Sequence, residues 1–300
     1  MWRSCRAVRQ LFLYRKAENY VMERGNIMKR FEELVELKPQ DSIYERQEGV
    51  KYAEFKKYTY YSRTAERDTN MNVLLPVNYT EEKKYPVLYI LHGFWDSEEW
   101  MARPEVSLNI MLANLQAQGL AKEMIIVLPY IFCNKELERC TGMDLVNANS
   151  YDNFINDLVL DVKPFVEKTF SVATGRENTA VTGFSMGGKE ALFISFARPD
   201  LFGYVGAACP APGLVEIPGS ALHPGQIQEE ELAYPVDLKP AVVFVTSSKA
   251  DGVVGPAPKS YIDMMTKNGT EHIWHLLEDT WHDHTSVKPH LYNYLRMIFK

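Results

Sequence analysis

The sequence is short of cysteine, of long apolar runs and of positive charge, and each shortage removes a class of protein. Its four cysteines (Cys5, Cys133, Cys140 and Cys209) include no C-x-x-C pair, which argues against zinc ribbons and thioredoxin-type redox sites. Cys133 and Cys140 stand seven apart in an expected loop and could bridge, but thiols packed as small hydrophobes are the simpler expectation. No apolar run approaches the roughly 18 residues of a membrane span. The N-terminus carries Arg3, Arg6 and Arg9, yet its apolar stretch runs only from Leu11 to Tyr14. A secretory core needs about 7–15 such residues, so no export signal is legible and a cytoplasmic location is the default expectation. Met22 and Met28 both precede helical-looking sequence, which leaves the first twenty or so residues open to being a leader or extension. Lys plus Arg is 33 against 39 acids, a net charge of −6, so no cationic field exists to attract nucleic acid. Internal repeats, low-complexity tracts and interdomain linkers are absent too.

What remains is an ordinary soluble composition, 46% apolar and 24% charged, which excludes disorder and fibrous architectures. A chain of this length can bury about three quarters of its unfolded surface without staples. Aromatics are plentiful (17 Tyr, 14 Phe, 5 Trp) and suit either a core or an aromatic and sugar-binding cleft.

The periodicity predicts an amphipathic helix over residues 28–37, ended by Pro39, within an N-terminal extension of about 45 residues. Strand-like runs come next over 55–61 and 71–75, with Asp68-Thr69-Asn70 read as turn residues between them. From residue 86 onward, compact apolar runs alternate with helical segments. Strands are expected at 86–91, 124–128, 179–182, 204–208, 241–246 and 272–277. Helices are expected at 107–116, 151–170 (kinked or restarted by Pro164), 187–197, 259–267 and 287–299. Such alternation implies a mostly parallel sheet covered by helices on both faces, with the opening pair as an antiparallel edge. Residues 46–300 read as one domain, and 210–235, rich in Pro, Gly and Glu, as a loop or small cap over one end of the sheet.

The strongest motif is Gly183-Phe184-Ser185-Met186-Gly187, set between an expected strand and an expected helix. This is the G-x-S-x-G turn that lifts a nucleophilic serine above a sheet. Glycines are needed because side chains two residues either side of the serine would strike the neighbouring strand and helix. A serine hydroxyl needs a base, and the base an orienting acid, arriving in the order Ser, acid, His at the ends of later strands. Asp251 lies in the loop after strand 241–246. Asp237 precedes that strand, and Asp279 and Asp283 crowd the histidines. His282 and His284 both come after strand 272–277; His282 comes first and is preferred, with His284 left as a helix cap or pocket residue. The oxyanion hole would take the N–H of Met186 and, from the loop His92-Gly93-Phe94-Trp95, the N–H of Phe94. His92 is expected to be structural, bonded to backbone. Trp95, Trp100 and Trp281 flank these loops and are candidates either for substrate contact or for wall packing. The run His282-Asp283-His284 lacks a second ligand group of matching spacing, so no metal is expected.

The segments 85–93 (YPVLYILHG), 96–100 (DSEEW), 183–188 (GFSMGG), 281–283 (WHD) and 291–295 (LYNYL) resemble the esterase D-like esterases. The nearest likeness is to feruloyl and acetyl-xylan esterases of carbohydrate esterase family one, over about residues 52–299. In that family the catalytic histidine precedes a Leu-Tyr-Asn-Tyr/Phe-Leu helix by about nine residues, the spacing from His282 to Leu291, and the acid sits in a loop like Ala250-Asp251-Gly252. The resemblance implies an α/β-hydrolase fold without metal or organic cofactor, and an ester substrate, most readily a feruloylated or acetylated saccharide. Two features depart from the family pattern: Trp281 stands where glycine is common, and Val287 where an aromatic is common. The superfamily also includes S-formylglutathione hydrolases, mycolyl transferases and enterochelin esterases. The expectation is therefore a serine carboxylesterase acting on plant cell-wall xylan or its fragments. A small-molecule thioesterase or siderophore esterase, and a non-catalytic binding scaffold, are the alternatives. Neither a nucleic-acid nor a membrane partner is expected, and the oligomeric state is left open.

Overall fold

Continuous apolar runs become strands when both faces of a sheet are covered, and four of them form the centre of this fold. In a computed structural model describing residues 28–216 and 223–300, the chain divides into two compact units, Met1–Val35 and Glu36–Lys300. In the first unit, residues 28–32 of the expected helix are helical. The next bonds, from Leu34 N–H to Phe31 and from Val35 N–H to Glu32, span three residues instead of four and end it earlier than Pro39 would.

The second unit holds an eight-stranded sheet: β1 (Lys56–Ser62), β2 (Arg67–Leu74), β3 (Val87–Leu91), β4 (Ile125–Pro129), β5 (Thr179–Gly183), β6 (Tyr204–Ala208), β7 (Val242–Ser248) and β8 (Ile273–Leu277). Their spatial order is β1-β2-β4-β3-β5-β6-β7-β8. The β1–β2 and β2–β4 pairs are antiparallel and every other pair is parallel. Every residue of β3, β4, β5 and β6 is buried. The helices are α1 (Leu108–Ala117), α2 (Leu145–Asp152), α3 (Phe154–Asp157), α4 (Lys163–Thr169), α5 (Met186–Ala197), α6 (Ala257–Lys267) and α7 (His284–Met297). Helix α1 packs on α7, while α2 and α3 pack on α5, giving the two layers that cover the sheet. This is the expected mostly parallel α/β-hydrolase sheet with an antiparallel edge. Among the described residues no helix is long and apolar enough to cross a membrane.

Two local expectations are corrected. Asp68, Thr69 and Asn70 are not a turn: they pair in β2 with Tyr61, Tyr60 and Thr59, and the reversal falls at residues 63–66. Thr59 Oγ1 donates to Asn70 Oδ1 at 2.8 Å across the pair, so side chains with turn propensity serve the sheet instead. The helix expected from Tyr151 starts at Leu145, where the Asp144 carboxylate caps it by accepting from the Asn147 N–H. It is interrupted by a π-helical segment, Leu158–Val162, just ahead of Pro164. Proline has no N–H to give the carbonyl four residues back, and that carbonyl, Leu160 C=O, accepts instead from the Arg63 guanidinium.

The same segment docks the edge hairpin. The Tyr60 and Ser62 hydroxyls donate to the two oxygens of buried Asp157, and Arg63 bonds Asp161. The stretch after β6 is irregular, with short 3-10 turns at Glu229–Glu231 and Val236–Leu238. A buried charge cluster ties it to the helices. Asp152 accepts from the Lys189 ammonium and bonds His223, Lys189 also pairs with Glu190, and Gln226 donates to Glu190. Cys133, Cys140 and Cys209 are free thiols, so Cys133 and Cys140 do not bridge; Cys5 lies outside the described residues.

Replacing Asp157 by Ala would leave two hydroxyls without their acceptor, at a cost of about 2–5 kcal/mol. The urea midpoint should fall accordingly while kcat stays within about twofold. An unchanged midpoint would show that the hairpin does not depend on this carboxylate.

Candidate active site

Ser185 occupies the sharp turn between β5 and α5, with φ 56° and ψ −116°, a conformation that an L-residue holds only when its surroundings impose it. The impositions are visible. Phe184 N–H bonds the Leu91 carbonyl at the end of β3, and Ser185 N–H bonds the Ala208 carbonyl at the end of β6. The Ser185 carbonyl accepts from Lys189 N–H and Ala211 N–H. A Cβ on Gly183 would lie 2.3 Å from the Gly187 carbonyl oxygen, and one on Gly187 would lie 2.2 Å from that of Leu91. Both contacts are with backbone, so neither position admits a side chain.

The later strands deliver the partners. Asp251 stands three residues after β7, and His282 lies between β8 and α7. His282 Nε2 is 2.8 Å from Ser185 Oγ, and its Nδ1 is 2.7 Å from Asp251 Oδ2. Asp251 Oδ1 accepts from the N–H groups of Val253 and Val254 at 2.9 and 3.2 Å. Burial pushes the Asp251 carboxyl up, but the His282 ring and these two N–H groups outweigh it and hold the group below the usual carboxylate range. An imidazole held between a hydroxyl and an ionised carboxylate can accept the hydroxyl proton and have its resulting charge stabilised. His284 is the first residue of α7, capped by Asp283, whose carboxylate accepts from Thr285 N–H.

Met186 opens α5, where leading N–H groups have no intrahelical acceptor and the helix dipole favours negative charge. Phe94 comes directly after Gly93 in the loop after β3. That loop is pinned by Trp95 N–H donating to Tyr151 Oη at 3.1 Å and by His92. The His92 Nδ1 bonds the Gly93 carbonyl and its Nε2 accepts from Ile131 N–H; burial lowers its pKa to about 4, so it is the neutral structural histidine expected.

The three tryptophans part company. Trp100 stacks on Phe184 (5.0 Å, 7°), and Phe184 in turn lies 4.5 Å from the His282 ring, so Trp100 commits a face to the wall behind the histidine. Trp95 and Trp281 are 55% and 64% exposed and keep ring surface for a ligand. Cys209, buried at the end of β6, brings its sulfur within 4.8 Å of donor atoms of Asp251 and His282. The latter two are bonded to each other, and burial pushes the thiol up to about 12, so this trio offers a protonated thiol and two occupied groups.

Sequence reasoning passed over two residues. Phe184 entered only as the variable second position of the turn, yet it touches the histidine. Asp96 entered only within the DSEEW segment. Burial raises the Asp96 carboxyl to about 6, against the smaller opposing pull of Arg103 and His282.

Gly187→Ala should lower kcat/KM by more than about a hundredfold, because displacing the turn by tenths of an ångström misplaces the nucleophile. Gly252→Ala, with nothing within 4 Å of its new Cβ, should stay within about threefold; equal effects would refute the steric account. Asp96 also sets a pH dependence. Because its carboxyl is raised in the folded chain, folding favours the protonated form, and the stability it contributes is lost as pH rises from about 4 towards 6. Asp96→Asn should therefore gain in urea midpoint over the wild type across that window, and a constant difference would refute the shift.

The family described as "Putative esterase" matches residues 62–282. A CE1 ferulic acid esterase from the anaerobic fungus Anaeromyces mucronatus, solved free and in complex with ferulic acid, is 41% identical with a TM-score of 0.83, covering 88% of this chain and 97% of that one. An endo-1,4-beta-xylanase/feruloyl esterase of Xylanibacter ruminicola is 28% identical over 184 residues, 59% of this chain. The chain spans only 24% of that relative's length. S-formylglutathione hydrolase from Staphylococcus aureus shares the fold at 14% identity and a TM-score of 0.59, covering 83% of this chain and all of that one. With the serine turn at its centre and the match running from the end of β1 to His282, the chain belongs to this esterase family.

Proposed function

We propose that the chain is a serine carboxylesterase that releases feruloyl groups, or the smaller acetyl group, from plant cell-wall saccharides. The observation that carries the reaction is the relay from Ser185 Oγ through His282 to Asp251, with both contacts below 3 Å. The substrate class is supported by the 41% identical ferulic acid esterase, which has been seen with ferulic acid.

In this reading His282 Nε2 takes the Ser185 proton as Oγ attacks the ester carbonyl. The tetrahedral oxyanion is held by the N–H groups of Met186 and Phe94, donors fixed in place before reaction. Asp251 keeps Nδ1–H oriented and stabilises the imidazolium without itself being protonated. As the intermediate collapses, the carbon–oxygen bond to the alcohol breaks and His282 returns the proton to the leaving oxygen. Water, deprotonated by the same nitrogen, then attacks the acyl-enzyme, and the carboxylic acid departs from Ser185. Every proton transfer passes through one imidazole, and the only co-reactant consumed is the water of deacylation. Trp95 and Trp281 supply aromatic surface at the mouth, suited to a cinnamoyl ring or a sugar face.

The test is a kcat/KM panel of methyl ferulate, acetylated xylan, S-formylglutathione and p-nitrophenyl acetate. Methyl ferulate or acetylated xylan should lead, and Ser185→Ala should lower kcat by about 10⁴-fold or more. Preference for the glutathione thioester would overturn the substrate, and surviving turnover in the variant would overturn the mechanism.

A further inference from the structure

The loop that presents Phe94 turns back on itself, with Asp96 N–H donating to the Gly93 carbonyl at 3.3 Å, and so carries a second carboxylate to the nucleophile. One point in space locates it: the position a Cβ on Gly93 would take. That point lies 2.9 Å from Asp96 Oδ2, 3.4 Å from the Phe184 ring at Cδ1 and 3.5 Å from Ser185 Cβ. Phe184, whose ring edges that same point, lies 4.5 Å from the His282 ring, so Asp96 shares with Phe184 the neighbourhood of the histidine.

Its bonding sets it apart from Asp251. The oxygens of Asp251 accept from an imidazole and two backbone N–H groups. Among the described residues, none donates a hydrogen bond to the Asp96 carboxylate. A half-buried carboxylate without donors is costly, and such a group beside a nucleophile invites a donor that arrives with the substrate. The side it occupies says which part of the substrate. His282 must protonate the departing alcohol, so the alcohol moiety leaves towards the histidine, where Asp96 and Phe184 stand. An ionised carboxylate only accepts hydrogen bonds and repels anions, so the alcohol it suits is not anionic and brings donors of its own, as the further hydroxyls of a sugar do and a simple alkyl alcohol does not.

We propose that Asp96 is a specificity-determining residue that accepts a hydrogen bond from a sugar hydroxyl on the alcohol side of the scissile ester. The inference rests on the saccharide-esterase reading above and adds the residue that distinguishes a sugar ester from a plain one.

The experiment compares two esters of one acid, feruloyl-arabinose and methyl ferulate, with the wild type, Asp96→Ala and Asp96→Asn. The readout is the ratio of kcat/KM for the sugar ester to that for the methyl ester, which is independent of how much of each preparation is folded. In Asp96→Ala the ratio should fall about tenfold or more, the usual worth of a hydrogen bond to a charged group. Asp96→Asn, which keeps an acceptor oxygen but not the charge, should fall less. A ratio within twofold of the wild type in Asp96→Ala would overturn this inference while leaving the esterase reading intact. A wild type inert on both esters would overturn the feruloyl reading and this inference with it.

Discussion

The backbone of Ser185 is the constraint on which the rest of this molecule depends. Its conformation costs on the order of 1–3 kcal/mol and persists because four separate elements hold it. The ends of β3 and β6 take the N–H groups of Phe184 and Ser185, while α5 and the Ala211 N–H take the Ser185 carbonyl. Each of those strands is buried along its whole length. The energy that maintains the strained turn is therefore the hydrophobic burial of the central sheet, applied where three strands converge. The two glycines allow this convergence, since any side chain at either would push the turn off the sheet ends that bind it.

That dependence explains which features were legible in the sequence. Strands β3 to β7 were readable within a residue or two because they lie between two layers of helices, and burial on both faces demands uninterrupted apolar runs; β8, an edge strand with Leu276 exposed, was readable from its β-propensity and its place in the alternation. The serine turn was readable because close backbone approach demands glycine at fixed offsets. The order Ser185, Asp251, His282 was then readable too, because parallel strands place successive loops at one end of the sheet. Polar edges carry no such demand. Asp68 to Asn70 have the composition of a turn, and their place in β2 is decided by pairing with β1, which lies ten or so residues upstream. The π-helical segment before Pro164 is set by a partner, Arg63, about a hundred residues away in sequence. Asp96 escaped notice for a related reason: its importance comes from a loop reversal around Gly93, and one-dimensional spacing does not show which way a short loop folds.

The aromatic surplus acquires a division of labour in three dimensions. Trp100 supports Phe184, and Phe184 supports the His282 ring from one side while Asp251 orients it from another. An imidazole fixed by packing and by a carboxylate loses little entropy on reaching its reactive geometry, which is the condition under which proximity is worth most. Trp95 and Trp281 take no part in that wall and remain at the surface, although the Trp95 ring also packs edge-on against Phe94 at 5.4 Å.

Two carboxylates near one histidine would ordinarily compete, and their surroundings keep them apart. Asp251 meets three donors and is held ionised below the usual range; Asp96 meets none among the described residues and is raised by burial to about 6. Environments that separate the pKa values of neighbouring acids also separate their roles. Asp251 has three donors and a side chain almost wholly buried, so it orients and stabilises and offers no capacity to a substrate. The group with unsatisfied oxygens cannot orient His282, whose Nδ1 is already taken, but retains that capacity. If the roles were exchanged, a carboxylate without donors would have to stabilise the imidazolium unaided, and one saturated with donors would face the substrate with nothing to offer. The local chain path separates the two aspartates. The N–H groups of Val253 and Val254 fold back onto Asp251, whereas the Asp96 carboxylate is left over Gly93 beside the nucleophile.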